Sequence, residues 1–166
     1  MADEKTERLW SIHEIRQLPY RYAYAIDTRD VDMMTSLWVN TAPPVGHPTL
    51  DYHRMNEMFA KFVEKFKGHA TTLLVGNHLI TLDGPDKAHG QVYAHAFVDS
   101  PDGFWEQLIL YKDVYERHND EWLFRTRDHL LWWGQIRSSN PMSQPPANWP
   151  KSELGAGDAF DLIRRA

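Results

Sequence analysis

The chain has 166 residues with 42% hydrophobic content, enough for one domain with a sizeable core and too little for a second. A formal net charge of -5, with no Lys/Arg cluster beyond Arg164-Arg165, argues against a nucleic-acid surface, because phosphate contacts need concentrated positive charge. The absence of cysteine rules out disulfides and thiolate ligands, and no apolar run approaches the roughly 20 residues that span a bilayer, so no membrane role is expected.

The start Met1-Ala2-Asp3-Glu4 lacks the positive region and apolar run of a secretory leader, so the expected setting is cytoplasmic. Thr6 suits a helix cap, and Leu9, Ile12, Ile15, Pro19, Tyr22, Ala23 and Ile26 follow on one face at helical spacing. Pro19 removes a backbone bond and crowds the preceding turn, which predicts a kink at Leu18-Pro19 and a second run ending near Asp27. A second helix begins in Thr28 to Asp30 and turns Val31, Met34, Leu37 and Trp38 inward. The proline-rich stretch Thr41 to Leu50 is irregular. After Asp51 a third helix carries Met55, Met58, Phe59, Phe62, Val63 and Phe66 as one apolar stripe, ending at Gly68.

Four β segments follow: Thr71 to Leu82, His89 to Asp99, Phe104 to Arg117 and Glu121 to Ile136. Asp83-Gly84-Pro85-Asp86, Ser100-Pro101-Asp102-Gly103 and His118-Asn119-Asp120 separate them, all rich in residues that tolerate or fix turn dihedrals. Helices first and strands afterwards predict an α+β fold, a curved antiparallel sheet wrapped around helices, with sequential pairing the economical topology. The expected division is one domain over 1–139 and a Pro-rich extension over 140–166. In the extension Trp149 is a candidate anchor and Asp158 to Ile163 a short amphipathic helix.

A curved sheet closed by helices makes a pocket, and Tyr22, Asp27, His78, His95 and Arg127 are the polar groups this chain can send there. Tyr22 competes with a role as a core tyrosine, and Asp27 with capping of the next helix. His95 is flanked by the slim Ala94 and Ala96 and shares a strand face with Tyr93 and Phe97, against the alternative of a satisfied buried imidazole. Asn77 and His78 cannot both face inward on a regular strand. Arg127 shares parity with Arg125 and His129, so all three project together unless a bulge intervenes; the alternative for Arg127 is a solvated face paired with Asp113 or Glu116. Tyr24, Tyr93, Trp105, Trp133 and His129 are the candidate substrate contacts, and the tryptophans are equally suited to packing between subunits. Nine histidines invite a metal, yet no pair sits at i, i+4 helix spacing beside a third carboxylate, and neither metal nor cofactor is expected. No Gly-x-Ser-x-Gly elbow marks a serine nucleophile.

The segments Arg21-Tyr22-Ala23, Ala25 to Asp30, Gly76 to Ile80 before Asp83-Gly84, and Tyr111 to Arg117 leading to Glu121-Trp122-Leu123-Phe124 and Arg127 resemble the nuclear transport factor 2 (NTF2-like) superfamily, in particular its SnoaL-like branch. The resemblance covers about Ile12 to Trp133 and implies a cone of three N-terminal helices packed in the concave face of a curved sheet. Scytalone and bile-acid dehydratases in that family place a Tyr and an Asp of the first helix and a His of the sheet around the substrate, which maps to Tyr22 and Asp27 here. The position often held by that His is Leu73 in this chain, so the base moves to His78 or, preferably, His95.

The resemblance implies a cofactor-free lyase acting on a hydrophobic hydroxylated aromatic or polycyclic molecule, with proton abstraction by His95 or Asp27 and oxygen charge held by Tyr22 and Arg127. Water leaves, or a small carbonyl fragment such as formaldehyde in a retro-aldol variant. The alternatives are a ketosteroid-type isomerase and a non-catalytic binding or assembly module such as a ring-hydroxylating dioxygenase small subunit. A homodimer or homotrimer is the expected assembly.

Overall fold

In a computed structural model of the chain, residues 4–40, 52–148, 154–157 and 159 are described. The Thr41 to Leu50 loop, Asp51, Trp149 and the Asp158 to Ile163 helix expected from sequence fall outside them, Ala159 excepted. Three helices, α1 (Glu4–Thr28), α2 (Val31–Ser36) and α3 (Tyr52–Lys65), precede four strands, β1 (Thr71–Leu82), β2 (Lys87–Ser100), β3 (Gly103–His118) and β4 (Glu121–Arg137). The strands form one antiparallel sheet in the order β1-β2-β3-β4, the sequential pairing read from the turns. No helix among the described residues is long and apolar enough to cross a membrane.

Two expectations for α1 fail. Thr6 lies inside the helix, not at its cap, and the helix runs through Pro19 without separating there. Pro19 and its neighbours Ile15, Leu18, Tyr22 and Ala25 are buried, so packing against the sheet offsets the lost backbone bond. The turn into α2 follows the sequence: Arg29 takes φ 62 and Asp30 caps α2 by accepting from the Met33 amide at 2.8 Å. Met34, Leu37 and Trp38 turn inward as expected, while Val31 stays exposed. Beyond α2, the Val39 amide donates to the Phe124 carbonyl and the Phe124 amide to the Leu37 carbonyl, which covers the start of β4 with a short parallel bridge.

Irregularities in the ladder decide which side chains reach the core. On β1 the register shifts between Val75 and His78, so Gly76 and Asn77 bulge out and the buried side changes from Thr71 and Leu73 to His78, Ile80 and Leu82. The shift between Val114 and Tyr115 makes Arg125 an extra residue on β4, and Arg125 reaches toward Glu116 while Arg127 faces the core. Arg125 and Arg127, expected on one face, are thereby parted. Gly90 is required where it stands: a β-carbon there would meet the Leu79 carbonyl oxygen at 2.7 Å, the Tyr115 ring at 3.2 Å and His78 Nε2 at 3.3 Å. The chain after β4 begins with Asn140, whose amide donates to Asp99 Oδ1 at 2.7 Å, then a short 3-10 turn over Pro141–Ser143.

Candidate functional site

A polar chain runs through the centre of the apolar core. Arg127 is fully buried and donates from Nε to Asp113 Oδ1 and from Nη2 to Asp113 Oδ2, both at 2.7 Å. The Tyr115 hydroxyl donates to Asp113 Oδ2 at 2.8 Å and lies 3.0 Å from His78 Nε2. Since the phenol proton is committed to Asp113, His78 Nε2 carries the hydrogen of the second bond and Nδ1 is left as a bare, buried acceptor without a partner. Burial pushes His78 down to about 4, with the charges of Asp113 and Arg127 acting in opposite senses, so its ring is neutral near pH 7.

The Arg127 guanidinium stacks on three rings, with its carbon 4.4 Å from the Tyr22 centroid, 4.1 Å from Tyr111 and 4.3 Å from Phe124. Burial tends to lower its basicity, but Asp113 more than offsets this and keeps the cation fully charged. Burial raises the Tyr22 pKa above the ordinary phenol value, with the Arg127 cation over its ring the largest influence in the opposite sense. Tyr111, edge-on to Tyr22 with ring centroids 5.9 Å apart, is raised well above the ordinary phenol range by burial first. Both phenols therefore keep their protons at neutral pH.

Tyr22 and Tyr111 form part of the wall of a cavity of about 180 Å³. Most of that wall is apolar: Met55, Met58, Phe59 and Phe62 of α3 face Leu73, Ala96 and Ile109 of the sheet. His129 lines the same cavity at its exposed side, its ring edge-to-face on Tyr111 with centroids 5.1 Å apart. Burial of part of the ring, and then the charge of Arg127, lower the His129 pKa below the ordinary 6.5, leaving a neutral imidazole near pH 7.

Asp27 lies behind this wall. Its oxygens accept from the Leu73 amide at 3.1 and 3.2 Å and from the Thr71 hydroxyl at 3.3 Å, and burial raises it to about 6 despite these bonds. Arg29 donates to the same Thr71 hydroxyl at 2.7 Å, to the carbonyl of His69 at 3.2 Å and to that of Ile26, and covers the Phe62 ring. Asp27 thus fastens the end of α1 to β1 and does not reach the cavity with a free oxygen.

The structure brings Tyr22, Arg127 and His129 together and links His78 to them through Tyr115 and Asp113. It removes others. His95 projects from the opposite face of the sheet, where its Nε2 meets Glu106 Oε1 at 3.0 Å and its ring lies 4.3 Å from Phe97. The cause is alternation: Ala94 and Ala96 face the helices, so the residue between them cannot. Tyr93 stacks on Trp132 at 6.0 Å and Trp133 packs edge-on to His95 at 6.0 Å, both on that outer face and not at the cavity. Tyr24 is 60% exposed on the outer side of α1. Trp105 packs against Phe66 at 5.8 Å beneath Lys65, away from the cavity wall. Tyr111 and Tyr115 join the site without having been among the residues expected there; their signal in sequence is the alternation Tyr111-x-Asp113-x-Tyr115, which puts all three on one strand face. Among the described residues no cluster of three or more His, Cys, Asp or Glu is placed to hold a metal ion.

Residues 7–128 match the family model of the SnoaL-like domain. No curated protein matches the sequence. Among solved structures, a type 2 hexachlorocyclohexane dehydrochlorinase (LinA) superposes with TM-score 0.73 at 15% identity, over 82% of this chain and 95% of that one. A putative scytalone dehydratase from Novosphingobium aromaticivorans gives TM-score 0.67 at 14% identity, over 84% and 97%. A type 3 LinA from Novosphingobium barchaimii gives TM-score 0.69 at 17% identity, over 82% and 97%. At these identities the likeness speaks for the fold, the three helices on a curved four-stranded sheet of the NTF2-like cone.

Proposed function

The chain belongs to the SnoaL-like family, and from that premise we propose that it is a cofactor-independent lyase acting on a hydrophobic, hydroxylated small molecule. One observation carries this reading: a neutral imidazole, His129, and a tyrosine hydroxyl backed by a buried guanidinium, Tyr22 on Arg127, open onto the same apolar cavity. His129 takes a proton from the carbon next to a carbonyl, and the charge that develops on the carbonyl oxygen is met by the Tyr22 proton. As the double bond forms, the hydroxyl on the neighbouring carbon departs and receives the proton held by His129, so water leaves and the imidazole returns to neutrality. In the retro-aldol variant His129 takes the proton of the hydroxyl as the carbon–carbon bond breaks, a carbonyl fragment such as formaldehyde is released, and the enolate left behind takes that proton back from His129 at its carbon.

Placing the base at His129 departs from the dehydratases that the sequence resembles, because Leu73 has no proton to exchange and its amide is bound to Asp27. Elimination is also the chemistry named for the dehydrochlorinases and for the putative scytalone dehydratase whose fold is shared. An open, largely apolar cavity of about 180 Å³ with a few polar groups on its wall is the default place for small-molecule chemistry, which favours this reading over an assembly module. The outer sheet face exposes Leu74, Tyr93, Leu130, Trp132 and Trp133, which supports self-association as a homodimer or homotrimer.

The test is incubation of the purified, chelator-treated chain with panels of hydroxylated aromatic, alicyclic and steroid compounds, followed by mass. A product lighter by water or formaldehyde supports the lyase. An isomer without mass change transfers the reading to a ketosteroid-type isomerase, and no product from any member overturns the enzymatic reading.

A further inference from the structure

We infer that the cavity takes an uncharged, single-ring substrate whose oxygen is bound by the Tyr22 hydroxyl; this rests on the lyase reading of the same site. Size is the first argument. The cavity measures about 180 Å³, and an apolar cavity of about 150 Å³ holds one benzene ring. A ring with one short substituent fills it, whereas a second fused ring must push α3 from the sheet or remain outside.

Charge is the second argument. An anion entering an apolar site sheds its water and needs an uncommitted cation in return. Both arginines near the cavity are engaged. Arg127 is held bidentately by Asp113 behind the tyrosine rings, and Arg29 binds Thr71, His69 and Ile26 with Asp27 alongside. Tyr22 and Tyr111 are both raised by burial and stay protonated at neutral pH, and His129 is neutral there as well. A cationic ligand fares no better, since the nearest carboxylates, Asp27 and Asp113, already accept two or more hydrogen bonds each.

The polar groups that remain on the wall point to what orients the ring. Tyr22 has a proton to give, and Gln107 and Thr72 offer an amide and a hydroxyl elsewhere on the lining. The methionines Met55 and Met58 adapt to ring substituents without a fixed shape of their own. An oxygenated six-membered ring with small substituents meets each of these conditions.

The experiment is isothermal titration of the full chain with acetophenone, 2-acetonaphthone, benzoate and progesterone, in parallel with the Met58→Trp variant. Met58 is 47% exposed while lining the cavity, so a larger ring there reduces its volume without replacing a core residue. The expected result is saturable binding of acetophenone, binding at least about tenfold weaker for 2-acetonaphthone and Met58→Trp, and none for benzoate or progesterone. Binding of the naphthyl ketone, benzoate or progesterone as tight as that of acetophenone overturns the inference, and so does failure of all four to bind. Acetophenone binding with no product from any hydroxylated panel member sinks the lyase reading alone, and turnover of a polycyclic compound sinks the single-ring inference alone.

Discussion

Arg127 and Asp113 pair across β4 and β3 with both bonds at 2.7 Å and neither side chain exposed. Their attraction is set against the cost of removing both from water, and breaking the pair leaves one charge buried without its partner. Asp113→Ala is expected to destabilise the fold by about 3–5 kcal/mol, read from urea unfolding. The double variant Arg127→Met with Asp113→Leu recovers most of that loss, because it removes both charges. If the single variant unfolds at the wild-type midpoint, the pair is not the buried ion bridge described.

The same double variant separates stability from chemistry. With the guanidinium gone, Tyr22 loses the cation 4.4 Å over its ring, and its proton becomes less available to a developing oxyanion. Turnover is expected to fall by about 100-fold or more while the urea midpoint stays near wild type. Retained turnover would restrict Arg127 to packing.

Asp27 is raised to about 6 by burial, against about 3.9 in the unfolded chain. The folded state therefore holds this proton more tightly than the unfolded state, and the associated stability is fully present below about pH 4 and lost as pH rises through 6. Since the side chain keeps some contact with solvent, the loss is about 1–2 kcal/mol and not the larger figure of an unscreened shift. Other carboxylates pull in the opposite direction, so the quantity to measure is wild type against Asp27→Asn. Wild type should lose that amount relative to Asp27→Asn between pH 4 and pH 7 in urea titrations; a constant difference sinks the assignment.

The fold was legible because its signs are local. Asp30 before an apolar turn, Gly68 after an apolar stripe and Asn119-Asp120 with φ 51 and 66 each act within a few residues, and the strands they delimit fall within a few residues of their expected ends. The site was less legible because it depends on strand parity and on bulges. The small Ala94 and Ala96 beside His95 suggest room for an inward imidazole, yet those alanines are themselves the inward residues packed beneath the helices. The Gly76-Asn77 bulge, which brings His78 inward, and the extra residue at Arg125, which leaves Arg127 inward, follow from pairing with a partner strand. The Arg127–Asp113 pair is legible in sequence only as the alternative to a pocket role for Arg127, and there on a solvated face, since burial is a property of what packs over a strand.

His95 gives a direct check on parity. It is bonded to Glu106 on the face away from the cavity, beside Phe97 and Trp133. His95→Ala is expected to leave turnover within about twofold of wild type and to cost no more than about 1 kcal/mol, the scale of one partly exposed side-chain hydrogen bond. A loss of 100-fold would return the catalytic role to the outer face.

His129 carries the opposite expectation. To accept a proton it must be neutral, and burial together with Arg127 lowers its pKa below 6.5. The acid limb of kcat/KM in the free enzyme therefore lies below pH 6.5, and the rate stays level as pH falls through the range where an ordinary histidine would protonate. His129→Gln keeps a polar side chain of similar reach but cannot take the proton; it should lower turnover by about 100-fold or more and abolish that limb. A pH–rate profile of both proteins on one substrate decides the matter: an unchanged limb in the glutamine variant assigns the titration to another group, with Asp27 the next candidate at about 6.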